Sequence, residues 1–439
     1  MSTTNLRIIE ELRFFVLQVS QDKELTSLFS LTPRGFTRNR KLGFLRTVLL
    51  IGKLCKKTLS VELESFFEEM GSLKNCSVSA FCQQRKKLNP LFYRVWNEVL
   101  CTSFYALAGS RIKTWQGYKL IAVDGSNVSL IDTPSISKHF GGQRNQHDSF
   151  IQGKSLYAHD VLNNLVIHAQ IAPYSVGELV MAYNWVNGIK PDMLTIYDRN
   201  FCNYKMMALL SWQETERKFV IRAREKWKPI SNFIKSGRES EVIAIYPSPN
   251  AIEGLYECGY KITAKTPLKV RLVRVELPNS VEVIATNLWN ENLHPTDFKS
   301  LYFKRWGIET NISHQKNILR LESFSGLSKL AVEQEFYATI FMANLHAVIT
   351  HEAQKTLDNE PKKRKHRMKV NGNKSHGKLR EAFVSLFTRD NLVEILMALH
   401  NLFIRDPLPQ RPNRSYQRVV KNKQTKSKHK TCNNYKPAF

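Results

Sequence analysis

The sequence predicts an α/β protein whose mixed central part is flanked by helical regions. In residues 116–225, short segments rich in β-branched and aromatic residues alternate with segments of helical spacing. A run of strand-like segments follows in residues 226–292, and helical periodicity prevails in residues 1–115 and 293–355. Alternating strands and helices are typical of layered α/β folds. We therefore expect an α/β core that is interrupted by an antiparallel β-rich insertion.

The composition excludes several classes of protein. The chain has 439 residues, of which 42% are hydrophobic, so it is long enough for more than one domain with a buried core. It contains no apolar run long enough for a transmembrane helix, and its N-terminal segment is charged where a secretory signal is apolar. We therefore expect a cytoplasmic protein without a membrane partner. The 7 cysteines are odd in number and never spaced C-x-x-C, which argues against a disulfide scaffold and a zinc ribbon.

The charge balance indicates a polyanionic partner. The chain has 65 Lys and Arg against 38 Asp and Glu, a formal net charge of +27. Solubility does not require so much charge, and nucleic acid is the commonest partner of such a surface, although a solvated basic surface is the alternative.

The stretches 362–380 and 411–436 contain basic residues and no acidic ones. We interpret them as flexible basic arms within residues 356–439. The helical spacing between them, in residues 379–403, predicts two short helices broken near Arg389-Asp390, which form a small packed subdomain or a dimer contact.

Three short helices are predicted in the N-terminal region. They cover residues 45–54, 60–70 and 77–88, and the third is rich in amide and basic side chains. Its candidate DNA-contacting residues are Gln83, Gln84, Arg85, Lys86 and Lys87. Three short helices of which the last is basic are compatible with a helix-turn-helix DNA reader. A small helical bundle with a basic surface is the alternative.

The elements of the central part follow from periodicity and turn residues. Strands are predicted at 118–130, 154–160, 166–172, 193–197 and 218–224, and helices at 179–186 and 204–216. The first strand is expected to run into a turn at Asp124-Gly125, and Asn163-Asn164 is expected to join the next two. In the insertion we predict strands only, at 241–246, 255–264, 269–277 and 280–287. A helix is predicted from Pro295 to about Glu352, with an interruption at 323–328.

Three acidic residues are candidates for one metal site. Asp124 and Asp198 each follow a hydrophobic strand segment, and Glu309 lies on the predicted helix that begins near Pro295. The ends of strands are where α/β folds build their sites. Carboxylates without nearby Cys or His ligands suit Mg²⁺ or Mn²⁺, and a pair of such ions promotes the cleavage of phosphodiesters. Taken singly, each aspartate is better explained as a turn or N-cap residue, and it is the motif around Glu309 that favours the metal site.

A stripe of side chains accompanies Glu309. At about 100° per residue, Tyr302, Arg305, Glu309 and Lys316 fall within an arc of about 60° on one helix. Arginine forks onto phosphates, lysine supplies a point charge, and tyrosine supplies a hydroxyl and a stacking face. Side chains of these kinds are needed to hold a nucleic-acid strand beside a metal. The alternative is a polar solvent face with an Arg305–Glu309 pair, which would stabilise the helix by only a few tenths of a kcal/mol.

These residues resemble a known signature. The pattern Tyr302-x2-Arg305-x3-Glu309-x6-Lys316 is similar to the Y-R-E-K signature of bacterial insertion-sequence transposases of the DDE class, specifically the insertion sequence four family. Asp124, in VDGS, and Asp198, in YDRNF, resemble the two aspartates of that family. The resemblance covers about residues 45 to 350. It implies a helical N-terminal DNA-binding region, a ribonuclease-H-like catalytic core with a β-rich insertion before the glutamate, and a helical C-terminal part.

The resemblance also implies an activity. Asp124, Asp198 and Glu309 would be the catalytic residues and would hold two divalent ions, Mg²⁺ or Mn²⁺. Tyr302, Arg305 and Lys316 would bind phosphates at the transposon end. Water would attack a phosphodiester, and the freed 3′-hydroxyl would attack the complementary strand to form a hairpin, and later the target. The partners would be double-stranded DNA, as terminal inverted repeats and target, and a second copy of the chain in a dimer or larger synaptic complex.

Several positions depart from the family's pattern or have open roles. Some relatives carry a tryptophan on a strand of the insertion that stacks on a flipped base, whereas here Trp289 lies just past the strand. Trp289 is therefore a candidate for stacking, with a core or turn aromatic as the alternative. Asn200 stands where the family often has glycine. Arg199 is compatible with a phosphate contact or with a buried salt bridge. His314 and His351 receive no role.

Two other functions remain open at this point. A metal-dependent nuclease on the same core would cleave DNA without joining it. A non-catalytic basic protein would bind DNA as a repressor of its own element. Strand-transfer assays separate the first from a transposase, and alanine at Asp124 or Glu309 separates the second.

Overall fold

A computed structural model describes residues 3–38, 40–72, 75–144, 149–278, 280–359 and 365–411. The helices are α1 (Thr3–Gln21), α2 (Lys23–Leu28), α3 (Phe44–Gly52), α4 (Leu59–Glu69), α5 (Val78–Arg85), α6 (Leu91–Leu107), α7 (Pro134–Phe140), α8 (Glu178–Trp185), α9 (Tyr204–Ser211), α10 (Lys228–Ser236), α11 (Pro249–Tyr256), α12 (Pro295–Phe303), α13 (Trp306–Asn317), α14 (Lys329–Asn359), α15 (Gly372–Thr388) and α16 (Leu392–Arg405). The strands are β1 (Lys119–Ser129), β2 (Gly142–Arg144), β3 (Ser149–Asp160), β4 (Leu165–Pro173), β5 (Met193–Tyr197), β6 (Lys218–Arg222), β7 (Ser240–Ile245), β8 (Leu268–Leu277), β9 (Ser280–Thr286), β10 (Arg367–Lys369) and β11 (Leu408–Gln410). The α/β class predicted from the sequence is confirmed. Across these described ranges, no helix is both long and apolar enough to cross a membrane.

The chain divides into two compact units. The first consists of the described residues within Met1–Arg111, Val128–Gly153 and Ser313–Phe439, and the second of Ile112–Asn127 and Lys154–Ile312. Each unit is assembled from segments that are distant in the sequence.

The first unit is a helical assembly around α14. That helix is buried on nearly all sides, which is the pattern of a central helix rather than of a surface one. Trp96 of α6 stacks on Phe341 of α14 with ring centroids 4.0 Å apart, and Phe383 and Phe387 of α15 pack at the edge of the same indole. Large aromatic rings from three helices thus form the centre of this unit, and rings of this size contribute strongly to the stability of apolar cores.

The second unit is built on a mixed sheet. Within this unit the strands lie in the order β3-β1-β5-β6-β9-β8-β7, and β4 pairs with β3. β1, β5 and β6 are parallel neighbours, whereas β9, β8 and β7 continue the sheet in antiparallel pairs. The β-rich segment predicted as an insertion therefore extends the core sheet through its pairing with β6.

Helices cover both faces of this sheet. Alternate residues of the strands pack on opposite sides, as the two-residue period of a strand requires. On one face the apolar cluster includes Leu120, Ile196 and Val220 together with Leu301 of α12. On the other face Ile121, Tyr197 and Ile221 pack with residues of α8, α9 and α10. The near-continuous apolar runs of β1, β5 and β6 are typical of parallel strands that are buried on both faces.

Most predicted elements of the core are confirmed, and four are wrong. β1 runs straight through Asp124-Gly125 to Ser129, so the predicted turn there is absent. The segment 255–264 contains no strand: α11 ends at Tyr256, after Ser248 caps its first turn and Pro249 fixes its start. A second helix, α10, also lies in the segment where only strands were predicted. The helix predicted at 204–216 ends at Ser211.

The helical prediction after Pro295 requires one more break. Besides the interruption near residues 323–328, the chain turns at Lys304-Arg305, between α12 and α13. Tyr302 and Glu309 therefore lie on different helices, and the assumption of one continuous stripe from Tyr302 to Lys316 is wrong.

The first predicted basic arm is partly structured. Its residues 367–369 form β10, and residues 372–380 form the first part of α15. Leu379 and Phe383 on that helix are fully buried, and these apolar positions supply the burial that the basic composition concealed. The two helices predicted in 379–403 are confirmed, with the break at Arg389 to Asn391. Residues 360–364 and 412–439, which include most of the second predicted arm, lie outside the described residues.

The third N-terminal helix is confirmed as an element, but two of its candidate DNA contacts are internal. Arg85 is 5% exposed and forms a 3.1 Å ion pair with Glu335 of α14. Gln84 is also buried, and its amide donates to the Leu42 carbonyl. Arg85 and Gln84 therefore hold α5 within the first unit, and the expectation that they contact DNA is wrong. Gln83 and Lys86 are exposed.

Three histidines form a buried cluster in the first unit. The rings of His346 and His376 stack with centroids 3.4 Å apart, and the ring of His314 lies 4.6 Å from that of His376. His376 is 5% exposed, and neither of its ring nitrogens has a hydrogen-bond partner. Burial lowers the pKa of all three, that of His346 to about 3, and the neighbouring rings lower the pKa of His346 and His376 further.

This cluster predicts acid sensitivity. A histidine whose pKa is lowered on folding binds its proton more readily in the unfolded chain, so stability falls as the pH drops below the ordinary value of about 6.5. At pH 5, each of His346 and His376 should cost about 2 kcal/mol of stability relative to pH 7. We expect His376→Met to remove about half of this loss, as measured by urea denaturation at the two pH values. His366→Gln, outside the cluster, serves as control; an unchanged pH dependence in His376→Met would contradict the interpretation.

Candidate active site

The register of the parallel strands brings two predicted site residues together. Val123 of β1 is paired with Tyr197 of β5, and Tyr197 is paired with Ile221 of β6. Asp124, Asp198 and Arg222 each directly follow one of these paired residues. Because neighbouring strands lie about 4.8 Å apart, the three residues form a row across the sheet.

The alternation of side chains places this row on one face. Leu120, Ile196 and Val220 belong to the apolar cluster that packs on α12. Asp124, Asp198 and Arg222 lie an even number of residues further along the same strands, so the period of two directs their side chains toward that face. Arg222 was missed by sequence reasoning. Its position at the end of a predicted buried strand, like that of Asp198, was the signal that could have identified it.

Asp124 is a poorly solvated carboxylate. Its side chain is 21% exposed, and Oδ1 accepts a 2.9 Å hydrogen bond from the backbone N–H of Gly125. Burial raises the pKa of Asp124 to about 6, against the lowering effects of Arg305 and of the Gly125 N–H. The nearby Asp198 and Glu309 raise this pKa further. The three predicted metal ligands are therefore close enough to act on one another electrostatically.

Asp198 is held by the turn that follows it. Its Oδ1 accepts a 2.8 Å hydrogen bond from the backbone N–H of Asn200. The guanidinium of Arg224 in turn donates to the carbonyls of Arg199 and Asn200, at 2.9 and 3.0 Å. Arg199 itself is exposed, so of its two possible roles the buried salt bridge is wrong and the phosphate contact stays a prediction. The turn therefore forms with asparagine at position 200, where the family often has glycine.

Glu309 is joined to Asp124 through Arg305. One guanidinium nitrogen of Arg305 lies 2.6 Å from Oε1 of Glu309, and the other lies 3.5 Å from Oδ2 of Asp124. Arg305 is 7% exposed, whereas the Glu309 side chain is 40% exposed. The Arg305–Glu309 pair of the alternative interpretation is therefore present, but it is not part of a polar solvent face.

Tyr302 lies inside the site. It is 8% exposed, and burial raises the pKa of its phenol to about 12, with Asp198 and Glu282 among the groups that raise it further. Arg305 and Arg222 act in the opposite direction. The phenol therefore remains protonated near neutral pH, so it is a hydrogen-bond donor rather than a base.

Lys316 lies in the last turn of α13 and belongs to the first unit. Its ammonium is 3.3 Å from Oε1 of Glu322, and the same Oε1 accepts a hydrogen bond from the backbone N–H of Ser129. The predicted DNA-binding cation is thus paired with a carboxylate in the described structure.

Trp289 follows β9 in a loop and is 40% exposed. Arg271 holds this loop through hydrogen bonds to the carbonyls of Leu288, Asn290 and Leu293. Trp289 is therefore not a core residue, and a stacking role stays a prediction. Sequence reasoning missed Trp306, which is 52% exposed beside Arg305, although its place next to the Arg305 motif could have indicated it.

The donor set fits a divalent ion in chemistry. The second unit contributes three carboxylates, which are the oxygen ligands that Mg²⁺ and Mn²⁺ prefer. Asp124 is partly buried, and the negative charges of the other two raise its pKa. In the described residues, however, no three acidic, His or Cys side chains are arranged closely enough to hold a metal ion as they stand. The guanidinium of Arg305 contacts two of the three carboxylates.

Comparison with known proteins identifies a family for this chain. A family model described as "Transposase DDE domain" matches residues 115–345, more than half of the chain and a range that includes the three carboxylates. "Putative transposase InsZ" of Escherichia coli (strain K12) is 21% identical over 165 residues, which are 37% of this chain and 54% of that protein. The chain thus matches about half the length of this curated relative.

One solved structure is similar over a longer range. It is the cryo-EM structure of the piggyBac transposase synaptic complex with hairpin DNA, at 12% sequence identity and a TM-score of 0.40, covering 91% of this chain and 78% of that one. The extent of the family match decides the assignment. The chain belongs to the transposase DDE domain family.

Proposed function

We propose that this protein is a DNA transposase of the insertion sequence four group that cleaves the ends of its element and joins them to target DNA. The observation that carries the proposal is the convergence of Asp124, Asp198 and Glu309 within one compact unit, from two adjacent parallel strands and the helix α13. The order β3-β1-β5-β6, in which β4 pairs with β3 and the strands β5 and β6 run parallel to β1, supports a ribonuclease-H-like core.

The carboxylates are proposed to hold divalent cations, two Mg²⁺ or Mn²⁺. Such ions activate an attacking oxygen and stabilise the leaving oxygen of a phosphodiester. The protein's own residues position the substrate and exclude other geometries. Arg222, which is paired with Glu282 at 2.9 Å, and Tyr302 lie at the same face of the sheet and are proposed to donate hydrogen bonds to a phosphate next to the carboxylates. Lys316 binds a further phosphate after leaving Glu322. Trp289 is proposed to stack on an unpaired base.

A cluster of cations in the first unit is proposed as a DNA contact. Burial and the nearby Arg40 and Arg38 lower the pKa of Lys87 at the end of α5. Arg38 and Arg40 are exposed, and within the described residues neither they nor Lys87 forms an ion pair with a carboxylate. Cations that repel one another are stabilised by a phosphate backbone. The sequence predicted the contact on the helix at 77–88, and we propose that Arg38 and Arg40, which precede α3, take part in it as well.

Replacing Arg38, Arg40 and Lys87 together with alanine should weaken DNA binding and flatten its salt dependence. Each lost phosphate contact lowers the slope of log K against log salt by about 0.9, so a reduction of about 2 to 3 is expected. The measurement is fluorescence anisotropy with a labelled duplex at several salt concentrations. A control with alanine at Lys190, Lys261 and Lys265 makes the same change in net charge; equal slopes in the two triple variants would contradict the assignment.

The function is tested with the element's own ends. A duplex carrying the inverted repeats that flank the gene, with Mg²⁺ or Mn²⁺ and a target plasmid, should give end cleavage followed by joined product. Cleavage without any joined product would favour the nuclease. Binding of the ends without cleavage under either metal would favour the repressor. A synapse of two chains and two ends, seen by native gel, is expected before cleavage.

A further inference from the structure

Arg305 occupies a position that its proposed phosphate contact does not explain. A guanidinium that grips DNA must reach solvent, yet Arg305 is 7% exposed. It lies 2.6 Å from Glu309 and 3.5 Å from Asp124, and its buried Nε has no hydrogen-bond partner among the described residues. The side chain is thus committed to two carboxylates and leaves one donor unsatisfied. A buried unpaired donor costs free energy, so this arrangement is not the most favourable one for the guanidinium itself.

The charges explain why the guanidinium is held there. Asp124 and Glu309 raise the pKa of Arg305, in addition to the effect of Tyr302, while Arg305 lowers the pKa of Asp124. Asp124, Asp198, Glu309 and Arg305 together carry three formal negative charges and one positive charge. Arg305 is the cation that permits the two carboxylates to approach each other in the described structure. Its nitrogens contact Oε1 of Glu309 and Oδ2 of Asp124, which are oxygens that a divalent ion would also need.

The backbone at Arg305 is suited to a change of position. Arg305 lies in the turn between α12 and α13, where its N–H bonds to the Tyr302 carbonyl rather than within a continuous helix. Its two neighbours in the chain, Lys304 and Trp306, are exposed. Moving Arg305 outward therefore requires a local change of this turn and its side chain, without the melting of a helix.

We propose that Arg305 is a positioning residue with two alternative partners: in the metal-free protein it bridges Asp124 and Glu309, and it yields these oxygens to the divalent cation. This inference rests on the proposed function of the three carboxylates. It predicts that the guanidinium competes with the metal, so that the cation enters at the expense of the two ion pairs. Once displaced toward solvent, the same guanidinium is free to meet a DNA phosphate, which couples metal loading to substrate binding.

Metal affinity in the absence of DNA tests the competition. Free Mn²⁺ is measured by electron paramagnetic resonance during titration of the full chain. Arg305→Gln keeps a long polar side chain but removes the charge, and it should bind Mn²⁺ about tenfold more tightly than the wild type. Lys304→Gln makes the same charge change one residue away, on an exposed side chain, and should alter the affinity less than twofold. Unchanged or weaker binding by Arg305→Gln would overturn the inference.

A second measurement uses the wild type, in case Arg305→Gln does not fold. The Arg305 guanidinium lies 5.2 Å from the centre of the Trp306 ring, so its displacement changes the surroundings of this indole. The Mg²⁺-dependent change in fluorescence should be present in the wild type and lost in Trp306→Phe. A titration that binds Mg²⁺ without any Trp306-dependent change would contradict the displacement.

The failure of this inference is distinguishable from failure of the proposed function. If Mn²⁺ binding by the wild type persists in a variant with both Asp124→Asn and Glu309→Gln, the carboxylates are not the metal ligands and the proposed function fails with the inference. If that double variant loses binding but Arg305→Gln gains nothing over the wild type, only the competition by Arg305 is refuted.

Discussion

Asp124→Asn is expected to abolish DNA cleavage and, at the same time, to stabilise the fold. Loss of a carboxylate that holds a catalytic metal should lower the cleavage rate by about 1,000-fold or more. The gain in stability follows from the pKa of Asp124, which burial raises from 3.8 to about 6 in the folded protein. Such a carboxylate is a cost to the folded state whenever it is ionised.

The sign of the pH dependence follows from the same shift. Below about pH 4 the carboxyl is protonated in both states and costs nothing; the cost develops between about pH 4 and 6 and is complete above. At pH 7 the asparagine variant should be more stable by on the order of 1 to 3 kcal/mol. Urea denaturation at pH 7 measures this difference. Asp192→Asn, on a half-exposed carboxylate paired with Lys119, is the matched control and should leave cleavage unchanged. An Asp124→Asn variant that still cleaves would remove Asp124 from the site.

Arg85→Ala is expected to cause a larger loss of stability than alanine at the adjacent Lys86 or Lys87. Arg85 donates to Gln334 and Glu335 of α14 and to Ser325, and both members of its ion pair with Glu335 are buried. Removing the arginine leaves Glu335 buried without its counter-ion, which costs about 3 to 5 kcal/mol. Urea denaturation gives the value.

The neighbouring Lys86 supplies the control for Arg85. Lys86 is exposed, so Lys86→Ala should change the free energy of unfolding by about 0.5 kcal/mol or less. If Arg85 read DNA instead, Arg85→Ala would retain its stability and lose affinity for the ends. Measuring both quantities for both variants therefore decides between an internal and a DNA-facing role.

The local elements of the second unit were predictable because their patterns are local. The largely apolar runs at residues 120–123 and 193–197, which directly precede Asp124 and Asp198, identify buried strands, and strand ends are where sites form. The segment 255–264 was not predictable in the same way. Its alternation suggested a strand, but the cap and proline at Ser248-Pro249 begin a helix that ends within the segment. The capping residues, rather than the alternation of apolar residues, determined the structure at the start of this segment.

Contacts between residues that are distant in the sequence could be identified only from the folded structure. The partners of Arg85 are about 250 residues away in the sequence, and no pattern within α5 reveals them. Likewise, the number of residues between the two aspartates and Glu309 does not indicate how far apart they lie in space. The link of Glu309 to Asp124 through Arg305 is seen only in the folded structure. Arg222 joins the site through strand register alone. The resemblance indicated which acids to compare, and the register supplied the reason why two of them meet.

Metal-directed cleavage of the protein backbone tests the central claim most directly. With Fe²⁺ bound in place of Mg²⁺ and ascorbate and peroxide added, hydroxyl radicals cut the chain near the ion. We expect cuts next to Asp124, Asp198 and Glu309, suppressed by excess Mg²⁺ and lost together in Asp124→Asn. Cuts near only one of these residues, or cuts near Asp198 and Glu309 that persist undiminished in Asp124→Asn, would contradict a shared site.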